Sequence, residues 1–288
     1  MRTPIRDRIG RSARLLLIAW VGVLSLFVPT VAHAIVYGEP DGGQHPNVGS
    51  FIVEFTPAGG EPYLIQLCTG TLVSSQVVLT ASHCMETREY PDEFGETVWF
   101  TLAEEIADQD SWAVRGNLNL LEGTPTPDKR YFGSAHYRYD VGAFVLSSPV
   151  TGMDFATIAP VGTLDDKSLR RQFRMFTTVG YGIERGTRTK STQSFLPPQR
   201  RMLAYQTLTT VNRDYATFSM NEATGNGGTC YGDSGGPHFD AEGRIVAITT
   251  TGDIPCKAID QAYRVDTEIA YGFLSGLGVP VPVPVPAR

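Results

Sequence analysis

Short apolar runs punctuate the chain. SFIVEF (50–55), YLIQL (63–67), QVVLTA (76–81), GAFVLSS (142–148), RMFTTVGYG (174–182) and RIVAITTTG (244–252) are rich in Val, Ile, Thr, Phe and Tyr. Runs of this length and composition predict strands. Breakers such as AGGEP (58–62), GNGG (225–228) and AEG (241–243) separate several of them. Helical periodicity is confined to one late segment, where Ile269, Phe273, Leu274 and Leu277 recur at i, i+4, i+5 and i+8. Asp266 or Thr267 can cap its start and Gly278 can stop it, and its apolar stripe is expected to dock on the domain. The pattern predicts an all-β chain of many antiparallel strands with one C-terminal helix.

The two ends break this pattern. Arg2, Arg6, Arg8, Arg11 and Arg14 precede an apolar run from Leu15 to Val28, then Pro29, then Ala32-His33-Ala34. Basic start, apolar middle and small residues two apart are the layout of a secretory signal peptide, with cleavage expected after Ala34. The alternative, a membrane anchor, needs about 20 apolar residues, and this run is shorter. At the other end GVPVPVPVPAR (278–288) alternates Val with Pro and is expected to be an extended tail.

Composition narrows the function classes. The chain carries 24 Lys+Arg against 30 Asp+Glu. Residues 1–34 hold five of the arginines and one aspartate, so the exported chain has a net charge near −10. An acidic surface argues against nucleic-acid binding, which needs clustered Lys and Arg. With residues 1–34 removed, no further segment is long enough to span a membrane. Four cysteines, Cys68, Cys84, Cys230 and Cys256, suggest two disulfides in an exported protein. Three pairings are possible, of which 68–84 with 230–256 is the simplest. No C-x-x-C is present, which argues against a metal site.

Three stretches carry chemistry: TASHC (80–84), YDVGAFVL (139–146) and CYGDSGGP (230–237). GDSGG fits the nucleophile elbow of α/β-hydrolases, but that fold needs its histidine well after the serine. Here only His238 follows, four residues on. The order His83, Asp140, Ser234 belongs to another solution of the same chemistry. From Ile35 to about Leu277 the chain resembles the chymotrypsin-like (trypsin-fold) serine endopeptidases. CTGTLVSSQVVLTASHC, DVGAFVLSSPV and CYGDSGGP carry the resemblance, with GYG (180–182) and IVYG (35–38) in support.

The resemblance implies two antiparallel six-stranded Greek-key β-barrels and a C-terminal helix. After the signal peptide 1–34, the N-terminal barrel spans 35–155 with the histidine and aspartate. The second barrel and helix span 156–277 with the serine and the specificity pocket, and the tail is 278–288. Ser234 is then the nucleophile and His83 the base and acid, since an unperturbed histidine, with a pKa of roughly 6.5, can take and return a proton near neutral pH. Asp140 orients the histidine, and the N–H groups of Gly232 and Ser234 form the oxyanion hole. Cys68–Cys84 braces the histidine loop and Cys230–Cys256 ties the serine loop to the pocket's far wall. The free α-ammonium of Ile35 pairs with Asp233. Because Ile35 directly follows the Ala-His-Ala site, the export cut itself is expected to create the activating terminus, the alternative being a short pro-segment.

Several positions depart from the family pattern. Ser82 replaces a usual alanine, Thr251 a usual tryptophan, and Thr250 a serine that supports the triad aspartate. A threonine hydroxyl there is expected to donate to Asp140. Counting from Ser234 and Cys256 places Gly228 at the pocket floor, with Thr229, Gly252 and Gln261 around it. That predicts an uncharged residue before the cut, unless Asp253 or Asp260 restores a charge. No cofactor is required, although the acidic run EYPDEFGE (89–96) lies where some relatives bind calcium. The implied partners are a protein or peptide substrate and a protein inhibitor. The rival reading is a non-catalytic, protease-like binding protein; an esterase on the same site is a third.

Overall fold

The apolar runs pair with one another in an order that brings TASHC and CYGDSGGP to one cleft, with Asp140 buried against His83. The structure, a computed structural model, describes residues 35–86, 94–131, 138–167, 174–188, 193–254 and 256–282. The leader 1–34, most of the acidic run 89–96 and the last six residues lie outside the described residues.

After a two-residue strand β1 (Glu39–Pro40), six strands make a first sheet: β2 (Val48–Phe55), β3 (Tyr63–Leu72), β4 (Val77–Thr80), β5 (Phe94–Thr101), β6 (Gly123–Pro127) and β7 (Gly142–Leu146). Their order is β5-β2-β3-β4-β7-β6, all antiparallel. Phe100 of β5 bridges to Leu121, two residues before β6, so the sheet nearly closes. Pro125 and Pro127 lack an N–H and sit in β6 at the end of the strand order, where a missing donor breaks no inner ladder. Phe51, Phe100 and Phe144 pack ring on ring inside this barrel, with centroids 5.0 and 5.5 Å apart.

The chain continues through β8 (Thr157–Ile158), β9 (Met175–Gly180), β10 (Glu184–Arg188), β11 (Gln193–Leu196), β12 (Met202–Val211), β13 (Tyr215–Ser219), β14 (Pro237–Phe239), β15 (Arg244–Gly252) and β16 (Ile259–Arg264). Strands β9, β12, β13, β16, β15 and β14 form a closed antiparallel ring, because β14 pairs back to β9. Strand β8 adds to this ring, and so does β1 from the start of the chain; β10 and β11 form a separate two-stranded ladder. The fold is thus two barrels and a helix, as the resemblance implied.

That helix, α1 (Glu268–Gly276), begins where Thr267 accepts the Ala270 N–H on its hydroxyl. Such a cap is worth about 1 kcal/mol. Ala270, Tyr271 and Leu274 are its buried face. Gly278 at φ 76° ends it, since a left-handed residue there favours glycine. The Val/Pro tail does not leave the surface at once. Val279 is buried, with its N–H on the Leu274 carbonyl at 3.1 Å, and Val281 packs on the core. No helix among the described residues is long and apolar enough to cross a membrane.

A buried polar cluster ties the segment after β1 to both barrels. Arg201 is 2% exposed; its Nε donates to Asp41 at 2.8 Å and its Nη1 to the Val48 carbonyl at 2.9 Å. The ring of His45 and its backbone N–H also bond to Asp41.

Candidate active site

Strand register brings His83 to Asp140. In the β4/β7 pair Thr80 lies opposite Gly142. The chain leaves β4 into a short 3-10 turn, Ser82–Met85, and enters β7 just after Asp140, so both residues emerge at the same end. Gly142 permits this close approach: a Cβ there would meet the Ala81 carbonyl and the Ser82 backbone at 3.0 Å. The wholly buried Asp140 carboxylate takes the His83 backbone N–H at 3.0 Å and faces His83 Nδ1 at 2.9 Å. An ionised carboxylate only accepts, so the proton belongs on Nδ1 and Nε2 is left as the basic nitrogen.

Ser82 contributes more than its size. It is fully buried; its hydroxyl donates to the Val141 carbonyl at 2.7 Å and accepts the Asp128 N–H at 3.0 Å. It thereby fastens the chain on the far side of Asp140. Ser82→Ala removes both bonds, but the Asp128 N–H keeps the Val141 carbonyl at 3.2 Å, so the cost should be about 0.5–1.5 kcal/mol, read as a lower midpoint in urea at unchanged slope. A loss below about 0.5 kcal/mol would show that these bonds add nothing. The expected Thr250 bond to Asp140 does not form: among the described residues the Thr250 hydroxyl is buried without a partner.

Ser234 comes from the second barrel, on the turn before β14. Two tight turns shape it, Asp233 N–H to the Cys230 carbonyl at 3.1 Å and Gly236 N–H to the Asp233 carbonyl at 2.9 Å. Thr69 N–H, from the first barrel, donates to the Ser234 carbonyl at 2.9 Å. Gly232 has φ 95°, a value L side chains rarely adopt. Its carbonyl is held by Gln66 Nε2 at 2.8 Å and Thr69 Oγ1 at 3.0 Å. Among the described residues no protein acceptor takes the N–H of Gly232 or of Ser234. Gln66 was not singled out in the sequence, although a lone amide inside the apolar YLIQL is the signal that could have found it.

Asp233, beside the serine, is completely buried and points the other way. Its oxygens accept Gly182 N–H at 2.7 Å and Cys230 N–H at 2.9 Å. A Cβ on Gly180 or Gly182 would collide with the carboxylate, which explains the GYG stretch. Burial pushes this carboxyl up to about 7, although the two backbone N–H groups pull it down. Among the described residues no basic side chain pairs with it. Ile35 is fully buried against Met202 and Ala204. The next residue, Val36, exchanges both backbone hydrogen bonds with Gly228 at 2.8 and 2.7 Å.

Both expected disulfides form, Cys68–Cys84 beside His83 and Cys230–Cys256 beside Ser234. The latter borders a pocket of about 200 Å³ with Thr229, Thr250, Thr251 and Gly252 in its wall and Ser234 at its mouth. Of the four residues expected around the specificity pocket, Thr229 and Gly252 are in this lining, and Gly228 and Gln261 are not. Gly228 is sealed behind Met220, whose sulfur stands where a side chain would begin. Gln261 sits on β16 opposite Thr217 and Thr251. The two acids are placed differently. Asp253 lines the pocket, but its carboxylate accepts the backbone N–H groups of Lys257, Ala258 and Ile259. Asp260 is buried inside the barrel against His238 at 2.9 Å and Gln206 at 3.1 Å.

Two antiparallel barrels, one closed and one nearly closed, with a buried Asp–His pair from one and a serine turn from the other, define the double-barrel serine-protease class. A family model described as Trypsin matches residues 41–272, and the chain belongs to that family. It is also similar to Seminase of Drosophila melanogaster, 28% identical over 104 residues. That match covers 34% of this chain and 31% of Seminase, about a third of each.

Proposed function

We propose that the chain is a secreted serine endopeptidase that cuts peptide bonds through an acyl-enzyme. The observation that carries this reading is the buried Asp140 carboxylate holding His83 by ring and backbone, at a cleft that Ser234 also borders. Ser234 attacks the carbonyl carbon, and His83 Nε2 takes its proton and returns it to the leaving nitrogen. Asp140 fixes the tautomer and stabilises the imidazolium. The free N–H groups of Gly232 and Ser234 receive the oxyanion, each worth on the order of 3 kcal/mol of barrier. The Thr-walled pocket takes an uncharged residue before the cut, because Thr229, Thr250, Thr251 and Gly252 form its wall, the Asp253 oxygens are engaged by the N–H groups of their own loop, and Asp260 is buried away from it.

Ile35 and Asp233 form the activating pair once a cut after Ala34 frees the Ile35 nitrogen. A carboxylate buried without a cation is costly, and a neighbouring ammonium removes that cost. The Ala-His-Ala site makes the export cut the activating one. Two disulfides suit the oxidising compartment beyond the membrane.

The test is the intact mass of the secreted protein before and after a serine-directed phosphonate. The expected product starts at Ile35, holds two disulfides and gains one probe on Ser234. A longer N-terminus without labelling means a precursor awaiting another protease. A chain starting at Ile35 that still refuses the probe would favour the non-catalytic binding protein.

A further inference from the structure

Ser234 borders two cavities of unequal size. The Thr-walled pocket holds about 200 Å³; a second cleft that Ser234 also borders holds about 540 Å³. Tyr231 borders both. The walls of the larger cleft are mostly apolar, with Ile65, Leu67, Trp112, Ile183 and Pro198 in its lining together with His83.

The chemistry decides which part of a substrate each cavity meets. His83 must pass its proton to the leaving nitrogen, which therefore lies within about 3 Å of the imidazole. The chain after the cut leaves on the imidazole's side of Ser234. His83 lines the larger cleft and is absent from the lining of the smaller pocket. The residue after the cut therefore faces the larger, apolar space, and the residue before it the smaller one.

Trp112 is held ready at this cleft. It is 48% exposed, on a turn whose base is pinned by the Ala107–Val114 bridge and by Arg115 N–H on the Ile106 carbonyl at 2.8 Å. Val114 N–H joins the turn to the Leu64 carbonyl at 2.9 Å, in the strand that supplies Ile65 and Leu67. A fastened turn presents the indole with its backbone already ordered, so covering it costs only side-chain freedom, which suits a recognition anchor.

We propose that this cleft, with Trp112 as its anchor, selects a bulky apolar residue immediately after the bond that is cut, and that this contact carries most of the selectivity. The inference rests on Ser234 being the nucleophile. Acyl transfer tests it directly. A small acyl group is loaded from N-acetyl-alanine methyl ester, and Phe-amide, Leu-amide, Gly-amide and Asp-amide compete with water. The attacking amine forms an amide bond to the acyl carbon as the Ser234 Oγ–carbon bond breaks. The amine's proton passes through His83 to the serine oxygen.

Phe-amide and Leu-amide should capture the acyl group roughly 10-fold or more better than Gly-amide, with Asp-amide poorest. Trp112→Ala should pull that ratio toward one. The ratio is internal to one acyl-enzyme, so a change in overall turnover cancels. Equal capture by all four amides, or an unchanged ratio in Trp112→Ala, overturns the inference while leaving the nucleophile in place. Absence of both ester turnover and phosphonate labelling overturns the nucleophile reading, and this inference with it.

Discussion

Ser234→Ala should lower kcat/KM on a peptide substrate by about 10⁶-fold, or roughly 8 kcal/mol of barrier. The alanine chain should keep a residual advantage over water of about 10³–10⁴, since the oxyanion donors and the binding clefts survive. Stability should change by less than about 0.5 kcal/mol, because the bond from Thr69 reaches the Ser234 carbonyl and does not use the hydroxyl. His83→Ala should cost a similar factor, and the double variant scarcely more, because the two act as one unit. Additive losses would mean that they do not share a proton. Activity retained in Ser234→Ala would place the nucleophile elsewhere.

The largest effect on stability should come from Arg201→Met. Arg201 is buried and bonds Asp41, the Val48 carbonyl and the Tyr181 hydroxyl. Removing one partner of a buried ion pair costs about 3–5 kcal/mol, which lowers Tm by roughly 10 °C in a chain of this size. The effect should depend on pH. Burial alone would raise the Asp41 pKa, but bonds from the His45 ring, the His45 N–H and Arg201 outweigh it and hold the carboxyl at about 2, against an ordinary 3.8. A depressed carboxyl contributes stability that is full above the unfolded value and is lost as pH falls through the folded one. The gap between wild type and Arg201→Met, measured in urea, should therefore be wide at pH 6 and narrow toward pH 2. A constant gap would show that the charge on Asp41 plays no part. Asp41→Asn in the Arg201→Met background should recover part of the loss.

Much of this was legible along the chain. SFIVEF, YLIQL, QVVLTA, GAFVLSS, RMFTTVGYG and RIVAITTTG each hold a strand or part of one, because β-branched and aromatic runs carry their preference locally. The helix lies where periodicity and Thr267 placed it. The order His83, Asp140, Ser234 and the paired cysteines were visible as motifs, since each sits within a few residues of its own signature.

Facing and partnership were decided only in three dimensions. Side chains alternate across a strand, so one irregularity redirects those that follow. The shift between Thr249 and Thr251 in the β15/β16 ladder lies opposite Gln261, which is not in the pocket lining where counting from Cys256 had placed it. Met220 sealing Gly228, Asp253 taken up by its own loop and Asp260 by His238 are pairings no count of residues reveals. Arg201 meets Asp41 across 160 positions. Trp112 reaches the cleft because Val114 happens to bond beside Ile65. Local propensity and short motifs determined the strands and the chemical residues of this protein. Which polar groups are already paired, and which walls a substrate meets, depends largely on contacts between distant segments, and only the two barrels bring those together.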